Sequence, residues 1–329
     1  MEAKLVSLII FTYNQEEYVR EAVVSALSQD YSNLEIIISD DCSADQSFEI
    51  IKETVNEYRG PHKIILNQNS PNLGVVKHLN KMIRMSSGEL IVGAAGDDIS
   101  LNNRVRILVN HWQRSKKLML SSNAIIIDRS GREIGEYSSD KKVELTYEEM
   151  VREGGSGVLG ATVAWDKHLF ERFGFHPEAT INEDQLLPFQ AALCGGVEYV
   201  NENLIKYRVH SQNLSNWIRG SDGSSESLIK GRAAQIKNLI NTYKSWEETL
   251  AKESLPGDIG SYRVLQALLR KKQNLLKIHL KILHSGGLAR FFICWAAIFE
   301  IKSLKDVFRT MLLTISPKIY SKILGRKWK

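Results

Sequence analysis

Four short apolar runs recur at near-even spacing through the first hundred residues: Leu5–Thr12, Leu34–Ser39, Lys63–Asn67 and Leu90–Ala95. Between them lie three stretches with helical periodicity. Glu16–Ser28 carries Val19, Ala22, Val23, Ala26 and Leu27, and about Asp45–Tyr58 keeps Phe48, Ile51 and Val55 on one face. Val75–Met85 is the third. This alternation constrains the fold more than any other feature, because strands joined by helical crossovers build a parallel α/β sheet with right-handed connections. Ligands of such sheets bind in the crevice beyond the carboxyl ends of the strands. The strand ends here are Phe11-Thr12-Tyr13-Asn14, Ser39-Asp40-Asp41-Cys42-Ser43 and Gly96-Asp97-Asp98.

The last of these puts two adjacent carboxylates at one strand end. They repel each other unless something positive joins them, and a divalent cation carrying a diphosphate fits that need. A helix N-cap is the plainer alternative. No Gly-x-Gly-x-x-Gly follows the first strand and no Walker lysine occurs, so neither dinucleotide nor P-loop binding is signalled.

After a helix at Asn103–Arg114 the pattern changes. Leu118–Asp128 and Glu133–Tyr137 around Ser130-Gly131 predict a hairpin. A short helix near Tyr147–Arg152, the glycine-rich Gly154–Gly160, a strand at Ala161–Trp165, a helix at Lys167–Phe173, a buried helix at Gln185–Leu193 and a strand at Leu204–Val209 follow. These predict antiparallel additions to the first sheet. Beyond Ser215 the chain reads as helical, with amphipathic spacing over Ser224–Tyr243 and Ser261–His284.

Of 329 residues, 43% are hydrophobic and 25% charged, which describes a globular protein with a full core. Cys42, Cys194 and Cys294 are distant, odd in number and fit no metal spacing, so a reducing compartment is expected. The N-terminus is too short for a signal h-region, and no run of 18 apolar residues spans a bilayer. The net charge of +5 conceals an asymmetry: Ser261–Lys329 holds 15 Lys or Arg against Glu300 and Asp306 alone. Chemistry in an acidic body and attachment through a basic tail is the implied division.

The ordered set Leu8–Gln29, Ile36–Asp45, Asn72–Gly74, Ser87–Ile99, Gly160–Trp165, Asn182–Leu186 and Tyr207–Ser215 resembles the family 2 inverting glycosyltransferases of bacterial surface-polysaccharide synthesis. The resemblance covers about Leu5–Ser215. It implies a GT-A fold, a Rossmann-like, mostly parallel mixed sheet flanked by helices, over residues 1–215, with a helical C-terminal extension over 216–329. It also implies a nucleoside-diphosphate sugar donor, UDP-linked by preference, and Mn2+ or Mg2+ as cofactor.

Carried over residue by residue, the resemblance places Phe11, Thr12, Tyr13, Asn14, Asp41, Asn72, Gly74, Gly96, Asp97 and Arg208 at the donor. Tyr13 would stack on the base, Asp41 would accept from a uracil-type imide, and Arg208 would pair with phosphate oxygens. Asp40 and Ser43 are alternatively turn-forming and capping residues, and Thr12 and Asn14 shapers of their loop. Asp97, assisted by Asp98 and His210, would hold the metal. Ala95 stands where the family's Asp-x-Asp motif has its first acid. Asp184 would be the general base, with Gly160, Ala161, Thr162 and Glu183 near the acceptor; a helix N-terminal acid is the other reading of Asp184. His210 is equally readable as structural.

In the C-terminal region, Phe291, Phe292, Ile293, Trp295, Ile298 and Phe299 form an apolar block within Arg290–Phe299. Lys302, Lys305, Arg309, Lys318, Lys322, Arg326, Lys327 and Lys329 follow it. Such a pattern lies in a membrane interface or, alternatively, caps the catalytic domain. The expected location is cytoplasmic, peripheral on the inner face of the plasma membrane. The expected acceptor is a lipid-linked saccharide of O-antigen or capsule synthesis. A nucleic-acid partner is not expected, since no recognition motif occurs. Two rivals stay open: a non-catalytic nucleotide-sugar-binding protein, and a soluble transferase acting on a protein or small acceptor.

Overall fold

The computed structural model of the chain describes residues 3–138, 146–175, 183–210, 225–252 and 259–285. The chain divides into two compact units, one ending at Val209 and the other starting at His210.

In the first unit, strands β1 (Val6–Thr12), β2 (Leu34–Asp40), β3 (Lys63–Gln68) and β4 (Leu90–Ala95) alternate with helices α1 (Val19–Leu27), α2 (Ser47–Asn56) and α3 (Val75–Met85). Helix α1 starts at Val19 rather than Glu16 because the Gln15 carbonyl accepts from both Tyr18 and Val19, closing a turn first. Strand β1 pairs in parallel with β2 and β4, and β2 with β3. Val6, Leu8 and Ile10 pack one layer with Ile36, Ile38, Val19 and Val23. Ile9, Ile37 and Ile91 pack the other with Leu79 and Met82. Covered on both faces, these strands are apolar without alternation. Each buried aliphatic side chain contributes about 1.5–3 kcal/mol.

The rest of the unit comprises β5 (Ile99–Ser100), α4 (Arg104–Ser115), β6 (Met119–Ile127), β7 (Glu133–Tyr137), α5 (Tyr147–Glu153), a 3-10 turn (Gly160–Thr162), β8 (Ala164–Asp166), α6 (Lys167–Phe173), α7 (Glu183–Leu193) and β9 (Val197–Arg208). Among the described residues the sheet has nine strands, ordered β3-β2-β1-β4-β8-β6-β9-β5, with β7 hairpinned onto β6. Strand β8 runs antiparallel to β4 and β6, and β5 antiparallel to β9. Strands β6 and β9 are parallel, an arrangement the expected antiparallel additions did not include.

Two strands of this unit start well away from the sequence reading. The strand expected at Ala161–Trp165 begins only at Ala164, because the Thr162 N–H and hydroxyl both turn back to the Leu159 carbonyl at 3.0 and 2.8 Å. Strand β9 begins at Val197 rather than Leu204. Its polar middle is held on β6 by a side-chain bond from Asn123 to Asn201 at 2.9 Å.

In the second unit, α8 (Ser225–Lys252) and α9 (Ile259–His284) share a core of Ala233, Ile236 and Leu283, flanked by Ile229, Ile240, Leu276 and Leu280. Helix α9 contains no acidic residue. The block Arg290–Phe299, the basic residues from Lys302 to Lys329, Cys294, Asn182 and Ser211–Ser215 lie outside the described residues. No described helix is long and apolar enough to cross a membrane.

Candidate functional site

Parallel pairing brings the ends of β1, β2 and β4 to one rim of the sheet. Phe11 stands opposite both Ser39 and Ala95, the Asp41 N–H donates to the Thr12 carbonyl at 2.9 Å, and the Gly96 N–H to the Phe11 carbonyl at 3.1 Å. A side chain at Gly96 would fall 2.3 Å from Thr12 Cγ2, so only glycine permits this approach. Phe11 is half-buried against the Ile9 layer. Tyr13 is 50% exposed. Its loop is nonetheless pinned: Asn14, at φ 52°, donates its N–H to Ser43 Oγ at 2.8 Å and accepts from the Ala44 N–H at 2.9 Å. The exposed ring therefore sits on a pinned loop.

Asp40 is fully buried and accepts from both the N–H and the hydroxyl of Ser43, which makes this pair a turn cap. Asp41 Oδ1 accepts from Asn69 Nδ2 at 2.9 Å and the Leu73 N–H at 2.8 Å, and Oδ2 from the Gly74 N–H at 2.8 Å. Asn72 donates to the Asp41 carbonyl at 2.9 Å. Asp41, Asn72 and Gly74 therefore form one hydrogen-bonded unit at the start of α3. Gly74 lies at φ 73° with open space beside its Cα. A carboxylate offers about four acceptor positions, so Asp41 keeps capacity for a further donor. Behind it, His78 lies 2.6 Å from Ser39 Oγ, and burial holds its pKa below the usual value against the pull of Asp41 and Asp40.

At the end of β4, Asp97 and Asp98 are both buried. Asp98 Oδ1 accepts from the Arg208 backbone N–H at 2.9 Å. Burial, and then the charge of Asp97, push the Asp98 carboxyl well above the usual range; the Arg208 N–H and the charges of Arg104 and Arg208 oppose this. Arg208 is itself 2% exposed and spends its guanidinium within the protein. Nε donates to the Asp97 carbonyl at 2.9 Å, Nη1 to the Arg129 carbonyl at 3.1 Å and Nη2 to Glu21 at 2.5 Å. Each of the three guanidinium nitrogens of Arg208 thus has a partner inside the protein. His210 opens the second unit and is half-buried.

On the other side of β4, pairing of Val92 with Ala164 and the Gly93 N–H to Val163 carbonyl bond (3.1 Å) carry the chain on toward the 160–162 turn. A Cβ on Gly160 would sit 3.4 Å from that of Asp184, so Gly160 and Asp184 are direct neighbours. The Asp184 carbonyl accepts from Ser156 Oγ at 2.9 Å, and Gln185 Oε1 from the Ser156 N–H at 2.8 Å. Tyr137 pins the same loop by donating to the Gly157 carbonyl at 2.7 Å. Burial raises the pKa of Asp184, the Gln185 side chain opposing it. Burial and then the charge of Asp184 push Glu183 up to about 7.

A raised folded-state pKa stabilises the fold below the unfolded value and loses that contribution as pH climbs through the folded one. Glu183 therefore weakens the fold between about pH 4.5 and 7. Glu183→Gln is expected to leave thermal stability unchanged near pH 4 and to raise it at pH 8. Equal melting curves for the two proteins at pH 8 would show that Glu183 carries no such strain.

Among the described residues no group of three or more His, Cys, Asp or Glu is gathered to hold a metal ion. The donor set still suits a hard cation brought by a nucleotide, because Mg2+ takes one or two carboxylates together with substrate phosphates. Sequence reasoning missed Arg104, Ser156, Gln185 and Tyr137. For Arg104 a signal existed: it opens the apolar face that continues with Val105 and Leu108.

Residues 7–174, just over half the chain, match the family model described as Glycosyl transferase family 2. An Escherichia coli relative, UDP-Glc:alpha-D-GlcNAc-diphosphoundecaprenol beta-1,3-glucosyltransferase WfaP, is 28% identical over 214 residues, 64% of this chain and 80% of the relative. Two solved structures share the fold. Staphylococcus aureus TarS 1–349 in complex with UDP-GlcNAc has a TM-score of 0.59 at 16% identity, covering 98% of this chain and 92% of its own. The mannosyltransferase PcManGT from Pyrobaculum calidifontis, in complex with GDP-Man and Mn2+, has a TM-score of 0.59 at 14% identity, covering 98% and 87%.

Proposed function

The chain belongs to glycosyl transferase family 2, and from that premise we propose that it is a metal-dependent, inverting transferase that moves a sugar from a UDP-linked donor to a lipid-linked saccharide. That it is a glycosyltransferase of GT-A fold follows from the family and the fold themselves. The observation that most supports the finer reading is the shared rim: Asp41 and Asp97 follow β2 and β4, the two strands that flank β1 in parallel, and Asp184 adjoins the turn that precedes β8 on the other side of β4.

A sugar hydroxyl is a poor nucleophile at neutral pH. Asp184 takes its proton as the oxygen attacks the anomeric carbon and the bond to the diphosphate breaks, so one displacement inverts that centre. Burial makes Asp184 a stronger base than an exposed aspartate. Burial and the charge of Asp184 raise Glu183 beside it, to about 7. Tyr13 stacks on the base and Asp41 accepts from it, while Asp97 holds the cation. When bound, that cation supplies positive charge to the departing diphosphate.

The lipid-linked acceptor is supported by the E. coli relative, whose name specifies a diphosphoundecaprenol-linked substrate. Attachment to an anionic membrane surface is supported by α9, which bears Arg263, Arg270, Lys271, Lys272, Lys277 and Lys281 and no acid. The test is a screen of nucleotide sugars with purified protein and Mn2+, reading released diphosphate, with and without polyprenyl-diphosphate saccharide. UDP sugars are expected to turn over and the acceptor to accelerate them. UDP binding without any turnover would instead favour a nucleotide-sugar-binding protein.

A further inference from the structure

Asn69 is 2% exposed and follows β3, whose parallel register with β2 sets Gln68 opposite Asp40. The Asn69 N–H donates to the Asp40 carbonyl at 2.8 Å, which extends the ladder by one bond and carries Asn69 alongside Asp41. A buried amide must have its polar atoms satisfied. Here Oδ1 accepts from Lys81 Nζ at 2.7 Å and from Asn67 Nδ2 at 2.9 Å. Asn67 also donates to Ser39 Oγ at 2.8 Å. An ammonium can only donate, so the end of the Asn69 amide that meets Lys81 is its oxygen. The other end, Nδ2, is thereby turned to Asp41 and donates to its Oδ1 at 2.9 Å.

Each carboxylate oxygen has about two acceptor positions. On Asp41 Oδ1 both are taken, one by Asn69 Nδ2 and one by the Leu73 N–H, while on Oδ2 the Gly74 N–H takes one. Among the described residues a single acceptor position is left on this carboxylate, and it is on Oδ2. We propose that Asn69 sets the choice of base: by filling Oδ1 it reduces Asp41 to an acceptor for one donor, which selects a uracil-type base over a guanine-type one. The proposal deepens the functional reading above and rests on it for the presence of a base at Asp41.

The selection follows from the edges of the two bases. The uracil imide carries one N–H between two carbonyls, so it asks for one acceptor and meets Oδ2 alone. Guanine presents a ring N–H and an amino N–H side by side, and a carboxylate takes that pair only when both of its oxygens have a position free. With Asn69 in place, the guanine amino group faces a saturated oxygen and goes without its hydrogen bond, which a desolvated donor tolerates poorly. Without Asn69, Oδ1 keeps the Leu73 N–H alone and a second acceptor opens. The backbone of Asp41 is held independently of Asn69. Its N–H goes to the Thr12 carbonyl and its carbonyl accepts from Asn72, both at 2.9 Å, so the choice lies in the carboxylate.

Affinities for UDP, N3-methyl-UDP and GDP are measured by calorimetry, with Mn2+ present, for the unmodified protein and for Asn69→Leu. Leucine keeps the branched outline of asparagine and donates nothing. The unmodified protein is expected to bind UDP at least about tenfold more tightly than either GDP or N3-methyl-UDP, the worth of one well-placed hydrogen bond. In Asn69→Leu the preference for UDP over GDP is expected to fall by about tenfold, while the preference for UDP over N3-methyl-UDP stays within about threefold of the parent. A loss of affinity shared equally by UDP and GDP, which a merely structural role would give, overturns the proposal. GDP bound by the unmodified protein as tightly as UDP overturns it as well, and needs no variant. N3-methyl-UDP bound by the unmodified protein as tightly as UDP is a different failure: it removes the base from Asp41, and so defeats the functional reading at that residue together with what rests on it.

Discussion

Asp184→Asn is expected to lower sugar transfer by about 10²–10⁴-fold, the range that a positioned general base supplies, while UDP affinity stays within about twofold of the parent. The amide has the carboxylate's shape and cannot accept the hydroxyl proton. Its backbone would stay where it is, because Ser156 grips the Asp184 carbonyl and Gln185 grips Ser156, and neither contact uses the carboxylate. Single-turnover transfer measured beside calorimetric UDP binding separates chemistry from affinity. Near-normal turnover would remove Asp184 from the role of base. A matched fall in both quantities would place it at the donor instead.

Arg104→Met is the second large effect, and it falls on stability. Methionine fills much of the arginine volume but leaves the Gly93 and Ala161 carbonyls without a donor and removes one of the positive charges acting on Asp98. Leaving carbonyls inside the protein without a donor costs about 1–3 kcal/mol each. For a unit of this size two of them lower the melting temperature by about 4–24 °C. Arg104 retains its proton at neutral pH, since burial brings its pKa only to about 10. A melting temperature within a degree or two of the parent would mean that the arginine carries no net weight in the fold.

The first half of the sheet was legible because its signals are local. Four apolar runs end in Asp, Asn and Gly, and three crossovers have helical period, so β4 and α3 appear with the residues expected, Leu90–Ala95 and Val75–Met85. The link of Asp41 to Asn72 and Gly74 was partly legible as three donor residues, though their mutual hydrogen bonds were not. The 160–162 turn misread as a strand because Ala161 and Thr162 look extended in sequence. What bends them is the return of Thr162 to Leu159, with Arg104, more than fifty residues upstream, taking the Ala161 carbonyl. The partners of Arg208 were illegible for a related reason: its guanidinium reaches Glu21, Arg129 and Asp97, which no window around it contains.

The reversed direction of β8 has a consequence for how such a protein can diversify. Had it run with β4, the segment before it would have emerged at the opposite edge of the sheet, far from Tyr13 and Asp97. Running against β4, it returns Gly160 to the same edge, although the residues proposed for the nucleotide come from before residue 100 and the proposed base from after residue 150. On the proposed reading, one polypeptide stretch chooses the activated sugar and a later one chooses what receives it. Inheritance can therefore alter the recipient by rewriting the later stretch and leave the choice of nucleotide untouched.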